Sequence, residues 1–294
     1  MNRLFLSIAI GVFVLVMIAR PSMMYTTGRD LSIVQAREGT RQKVSSQHVL
    51  DQIIAQEGHP HHLLINSISR IVTQGTLMQI GANVGAVGND PLYTVLHEAH
   101  MNSWKKYFIE PIPPLYKTLM ENYKDIINSS FINAGIQSMA QTRTNHGMVQ
   151  QPTVMYCYDW ERLAGQVPPW FSQICSMQKD RLQYPYDVGQ RIDTLPGNLT
   201  DYIVEYTITE RTVPTLLQES HVTAIDMLII DTEGMDDMIV SDIMTETEIR
   251  PWLIVYEDVL LTQERKGKIE TLLKNKGYSV FPGKGQDTIA LLYL

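Results

Sequence analysis

Cysteine is scarce in this chain: Cys157 and Cys175 are the two present in 294 residues, too few for a disulfide scaffold and without metal-ligand spacing. They are compatible with one disulfide in an oxidising compartment or with two unpaired thiols. Basic charge is also short, with 24 lysines and arginines against 31 acidic residues for a formal charge of −7. No dense basic run interleaves with aromatics, which argues against a nucleic-acid surface. Neither G-x-G-x-x-G nor G-x-x-x-x-G-K-[ST] occurs, so the backbone cradles that hold a dinucleotide pyrophosphate or a nucleoside triphosphate are missing. There is no Asp-x-Asp pair to hold the metal of a sugar nucleotide, no internal repeat and no low-complexity tract.

What the chain does have is core: 44% hydrophobic and 19% charged residues are globular proportions, enough for one large or two small domains. Residues 4–19 carry no charge, with Arg3 before them and Arg20 after. As a helix this run is about 24 Å long, slightly under the ~30 Å hydrocarbon core, and residues 21–25 extend it at one interface. It is long for the apolar part of a signal peptide and no small-x-small cleavage site follows, so residues 1–25 are expected to be an uncleaved, single-pass membrane anchor. Arg20, Arg29 and Arg37 outnumber Arg3, which favours a cytoplasmic main domain, whereas Asn128-Ser129-Ser130 and Asn198-Leu199-Thr200 are glycosylation sequons that suit a lumenal one. Two such tripeptides are near what chance supplies, and the membrane side stays open. Residues 26–74 read as a stem and lead-in, with a polar patch at 37–47 and a helix expected near 46–55. In His59-Pro60-His61-His62 the proline and the preceding Gly58 favour an exposed loop over a metal-ligand set.

From residue 75 onward short apolar strands alternate with amphipathic helices, the pattern of an α/β fold with a mostly parallel, Rossmann-like sheet. Strands are expected at 75–80, 106–110, 131–136, 225–230 and 252–256, with a closing hairpin from 278–281 and 288–294. Asp90-Pro91 is read as a helix start. Pro113-Pro114 opens another helix, with Leu115, Leu119 and Met120 expected on one face, and a third spans 263–276 before Gly277. The segment 153–209 carries Trp160, Pro168-Pro169-Trp170 and several tyrosines; it is read as an inserted acceptor-side cover or as the packing of an inserted subdomain.

In an open α/β sheet, ligands bind beyond the carboxyl ends of the strands, near the point where strand order reverses. Polar residues gather at those ends here. Gly81 to Gly85 follow the first strand, Glu110 the second, Asn133 lies in the third, Asp231 and Glu233 follow the fourth and Glu257 the fifth. Glycines spaced 81, 85, 88 do not make a pyrophosphate loop. A nucleoside ligand without a phosphate still needs a close backbone turn and an acid for its ribose hydroxyls, and Glu110 is so placed. S-adenosylmethionine fits that description.

In order and spacing, "QIGANVG", "FIEPIPPLYKTLMENY", "FINAGI", "IDMLIIDTEGMDDMIV" and "LIVYEDVLL" resemble the FkbM-type S-adenosylmethionine-dependent methyltransferases over roughly residues 75–294. The resemblance implies a seven-stranded methyltransferase sheet whose last strand is antiparallel, and methyl transfer to an oxygen, often on a sugar or natural product. By matching position, Gly81, Asn83 and Gly85 in the loop, with Gln79 and Asn133, would bind the cofactor and Glu110 its ribose. Asp231 and Glu233 would face the methyl group or acceptor, with Glu257 a third candidate base; no metal ligand set is assigned. Many members have an aspartate where Gln79 stands, which implies a weaker or water-mediated contact with the cofactor's ammonium group. Many also carry Leu-Asp where this chain has Leu216-Leu217, leaving the role of that aspartate without a bearer.

His97 and His100 are within reach of the site by sequence but are more simply surface or packed residues. The expected partners are a hydroxyl-bearing acceptor, a sugar, glycan or small molecule, and the membrane; no nucleic acid is expected. Two other functions fit parts of the pattern: a membrane-tethered, non-catalytic binding module of the same fold, and a membrane-anchored glycosyltransferase.

Overall fold

The computed structural model describes residues 60–72, 74–85, 92–144, 153–163, 165–167, 174–183, 198–282 and 287–292. The expected anchor at 1–25, most of the stem, the helix near 46–55, the Asp90-Pro91 start and the 168–173 aromatic stretch lie outside these residues. Among the described residues no helix is long and apolar enough to cross a membrane. The chain divides into two units, Met1–Thr73 and Gln74–Leu294. Within the first, the helix Pro60–Ile71 begins at the proline that was expected to mark a loop. Proline suits a first helical turn because its missing N–H would lack an intrahelical partner there in any case.

The second unit is built on one seven-stranded sheet. Its strands are β1 (Thr76–Ile80), β2 (Lys105–Ile109), β3 (Ser129–Ile132), β9 (Met227–Ile230), β10 (Leu253–Glu257), β11 (Tyr278–Pro282) and β12 (Asp287–Leu292). The spatial order is β3-β2-β1-β9-β10-β12-β11. The pairs among β3, β2, β1, β9 and β10 are parallel, while β12 runs antiparallel to both β10 and β11. This is the expected methyltransferase sheet with its last strand antiparallel. Strand order reverses between β1 and β9, so the crevice lies at the ends of Ile80 and Ile230, which are paired in register.

The strands form where apolar residues predominate, and β9, Met227–Ile230, is apolar throughout. β9 is buried at every position, as a strand covered on both faces must be. Ile80, Leu228, Ile230 and Ile254 share one core with Ile239 and Ile243 of the helix Asp236–Glu246 and Leu273 of the helix Gln263–Asn275. Leu216 and Leu217, in the helix Val213–Glu219, join that core at 1% and 6% exposure, so at these positions the chain holds packing residues. In the helix Pro113–Asn122, Leu115 and Leu119 are buried but Met120 is exposed, because a residue five positions on from Leu115 lies about 140° around the helix from it.

One expected strand divides in two. The run 131–136 leaves the main sheet after Ile132, and Gly135–Ile136 (β4) pairs instead with Glu210–Arg211 (β8). The inserted segment makes a second small sheet, antiparallel, in the order β6-β5-β7: Thr153–Tyr158 (β5) lies between Cys175–Ser176 (β6) and Ile203–Ile208 (β7). Cys157 faces Cys175 across β5 and β6, and the two form a disulfide.

Candidate active site

Gly81 begins the turn after β1 with φ 81°, in the left-handed region that glycine adopts freely. A Cβ at this position would overlap the backbone carbonyl of Asp231. The close approach that demands glycine therefore comes from the neighbouring strand end. The turn is tied to both neighbours: the Gly81 and Ala82 amides donate to the Ile109 carbonyl at 3.0 and 2.9 Å, and the Asp231 amide donates to the Ile80 carbonyl at 3.0 Å.

Glu110, one residue past β2, is 4% exposed. Its Oε2 accepts from the Asn83 amide and its Oε1 from the Ile112 amide, each at 2.8 Å. One carboxylate thus holds the loops after β1 and β2 together, and each oxygen keeps a further lone pair. Burial pushes its pKa up to about 7, against the partial opposition of those two amides. Asn83 takes up φ 50°, which asparagine tolerates better than most residues, and its Oδ1 accepts from the Val84 amide.

Beyond β9, Asp231-Thr232-Glu233-Gly234 turns with Glu233 at φ 56° and Gly234 at φ 108°. A non-glycine residue held there costs of order 1 kcal/mol or more and persists only where its surroundings enforce it. Asp236 provides that constraint. Fully buried, it accepts from the Thr232 hydroxyl at 2.9 Å and from the Thr232 and Gly234 amides at 3.3 and 3.2 Å. Arg265 adds a second clamp, donating to the Gly234 carbonyl at 2.7 Å and forming a two-pronged ion pair with Asp237. Sequence reasoning missed both clamps. Asp236 reads as an ordinary first-turn acid of a helix, and Arg265, from a later helix, carries no local signal at all.

These ends enclose a cleft of about 1040 Å³, counting its open mouth. Gln79, Gly81, Asn83, Glu110, Asp231 and Glu233 all line it, so six of the sequence-assigned residues meet in one place. Met155, Cys175, Met177, Ile208 and Glu210 of the inserted segment and β8 complete the wall. Gly85, Asn133 and Glu257 are not among the lining residues. Gly85 leaves room for the Tyr123 ring, which would stand 2.6 Å from a Cβ there. Asn133 is exposed and braces the turn after β2, donating to the carbonyls of Glu110 and Pro111 at 2.8 and 3.0 Å. Glu257 is pushed up to about 10 by burial and then by the negative charges of Asp231 and Glu233, which favours its protonated form at neutral pH and weakens it as a base. His97 and His100 lie outside the cleft lining as well; the exposed His97 ring bonds to the Tyr93 carbonyl.

Residues 79–280 match the model of the "Methyltransferase FkbM domain" family. The chain belongs to the FkbM methyltransferase family. No curated protein matches it. Among solved structures, it is similar to a precorrin-6y C5,15-methyltransferase from Geobacter metallireducens at 12% identity, covering 81% of this chain and 90% of that one with a TM-score of 0.38. It is also similar to an S-adenosylmethionine-dependent O-methyltransferase from Thermotoga maritima at 9% identity, with 84% and 70% covered and a TM-score of 0.36. A third, Aeropyrum pernix fibrillarin with natively bound S-adenosylmethionine, is 10% identical, with 74% and 65% covered and a TM-score of 0.32. The family assignment rests on the 79–280 match and not on these likenesses.

The cofactor of an FkbM methyltransferase is S-adenosylmethionine, and the cleft fits it. Gln79 is 6% exposed, lines the cleft, and its Oε1 has no hydrogen-bond donor among the described residues. A buried acceptor left in that condition costs roughly 1–3 kcal/mol, which a ligand N–H would recover. Gln79 is thus suited to the cofactor's ammonium group, and Glu110 to its ribose hydroxyls. S-adenosylmethionine supplies an electrophilic methyl carbon on a sulfonium.

Proposed function

We propose that this FkbM methyltransferase methylates a hydroxyl oxygen of a sugar, a glycan or a small molecule, with the membrane anchor at residues 4–19 holding the domain beside its acceptor. The observation that carries the reading is the presence of Asp231 and Glu233 in the same cleft as Gln79, Asn83 and Glu110. A hydroxyl is a poor nucleophile until its proton is accepted, and a carboxylate beside the acceptor performs that task. Asp231 is fixed by its backbone bond to β1, and Glu233 by the clamps around its turn. With Glu257 weakened as a base, these two are the better-placed bases on this side of the cleft. The chain's own work is to orient the acceptor oxygen, exclude water and take the proton.

The test is Asp231→Asn, which keeps the shape and removes the charge. Methyl transfer is expected to fall by roughly two to four orders of magnitude, with the melting temperature and the binding of S-adenosylhomocysteine unchanged. A variant that melts much lower while its folded fraction turns over normally would make Asp231 a structural residue. Full turnover on amine or carbon acceptors with none on hydroxyls would overturn the oxygen assignment.

A further inference from the structure

The two cysteines and one sequon, unconnected in sequence, agree on where this domain matures. Cys157 and Cys175 stand opposite each other on β5 and β6 with Cα atoms 4.2 Å apart and are joined as a disulfide. Both are buried, packed with Ile112, Leu115 and Ile208. Disulfides of this structural kind form and persist in oxidising compartments and are rare where glutathione keeps thiols reduced. The same compartment attaches glycans to asparagine in Asn-x-Ser/Thr.

The two sequons differ in what the fold does with the amide nitrogen that would carry a glycan. In Asn128-Ser129-Ser130, Nδ2 of Asn128 donates to the Asn102 carbonyl at 2.7 Å. In Asn198-Leu199-Thr200, Asn198 caps the short 3-10 helix Leu199–Tyr202 with its carbonyl end: the side chain accepts from the Asp201 amide, while the Asp201 carboxylate accepts from the Asn198 amide at 3.1 Å. The cap thus uses Oδ1 and not Nδ2. Asn198 and Thr200 are both exposed.

We propose that the domain folds on the lumenal side of a secretory membrane, where Cys157 and Cys175 are oxidised and Asn198 becomes an N-glycosylation site. In the first step two thiols lose two protons and two electrons to a disulfide-bearing oxidant, which is reduced to its dithiol. In the second, Nδ2 of Asn198 attacks the anomeric carbon of an oligosaccharide linked to a lipid diphosphate. The C–N bond forms, the C–O bond to the diphosphate breaks, and Nδ2 gives up one proton. The capping oxygen is untouched, so the modified asparagine still caps its helix. The bias of Arg20, Arg29 and Arg37 argues for the opposite side of the membrane.

The experiment expresses the full chain in eukaryotic cells, digests it with a peptide N-glycosidase, and alkylates thiols before and after reduction. The expected result is a loss of mass on digestion, retained in Asn128→Gln and lost in both Asn198→Asp and Thr200→Ala, with the cysteines alkylated only after reduction. Asn198→Asp keeps the capping oxygen and Thr200→Ala keeps Asn198 itself, so loss of the glycan in both variants cannot come from a failed cap. No mass loss in the wild type, or a loss that survives both variants, overturns the glycan site. Cysteines alkylated without reduction overturn the lumenal assignment.

Discussion

β9 is buried at all four of its positions, whereas β5 in the small sheet is buried only at Cys157 and Tyr158. The first strand is covered on both faces, and its apolar side chains stabilise it wherever the helices pack. The second sets each face against its own small cluster, Tyr156 and Tyr158 with the one around Tyr202, and Met155 and Cys157 with the one around Ile112 and Ile208. A short sheet with so little buried area is marginal unless something else restrains it, and the disulfide supplies that restraint. The cofactor side of the cleft is therefore built on the rigid sheet and the opposite wall on the tethered one.

The largest effect is expected where the main sheet is tightest. Gly81→Ala would drive a Cβ into the Asp231 carbonyl at a φ that alanine disfavours, and should cost roughly 3–5 kcal/mol by denaturant titration. A loss under about 1 kcal/mol would mean that the end of the main sheet yields as easily as the small one.

Next is the tether. Replacing Cys157 and Cys175 by serine opens a loop of 18-residue separation and should cost roughly 3 kcal/mol on the chain-entropy account. Hydrogen exchange is expected to quicken in β5–β7 while β9 and β10 keep their protection. Equal loss of protection in both sheets would erase the contrast drawn between them.

The cofactor contact should show a smaller change. Glu110→Gln keeps the shape but removes the charge and one acceptor, and S-adenosylhomocysteine affinity measured by calorimetry should fall by roughly 1.5–3 kcal/mol. In the wild type, affinity should also decline as pH falls through about 7, where Glu110 takes up a proton. An affinity flat from pH 8 to 6 would remove Glu110 from the contact.

The smallest expected effect is the change that Glu257→Gln makes to the pH dependence of stability in the ligand-free protein, about 1.4 kcal/mol per pH unit for one proton. Burial raises Glu110 to about 7, Asp236 to about 6 and Glu257 to about 10, from ordinary values of 4.5, 3.8 and 4.5. Between pH 5 and 6 the folded chain thus holds protons that the unfolded chain has released, so stability falls as pH rises through this window. Glu257→Gln should flatten the slope in thermal melts. An unchanged slope would assign the effect to other groups.

Much of the fold was legible because parallel strands covered on both faces are apolar runs, as in Met227–Ile230, and because proline and glycine punctuate the helices. The split of 131–136 was not, since Phe131 to Ile136 is apolar enough for one strand. What diverts it is the pairing of Gly135 and Ile136 with Glu210 and Arg211, over seventy positions later. Of the site, the polar strand ends were readable from position alone. Gly85 and Asn133 share that position, yet the fold uses them to admit Tyr123 and to brace a turn.

The sequence by itself located most strands of the main sheet, because apolar periodicity and local turn chemistry are written residue by residue, and its motifs carried the resemblance to the family. It also placed Gln79, Glu110, Asp231 and Glu233 at strand ends that a parallel sheet must bring together. Only the tertiary structure decided how those residues are held. It pressed the Asp231 carbonyl against Gly81, buried Asp236 under the Thr232–Gly234 turn, brought Arg265 to Asp237 and joined Cys157 to Cys175. It also set which acids keep their protons. Such contacts join residues far apart in the chain, and their strength depends on burial and on neighbouring charge, neither of which exists until the chain has folded.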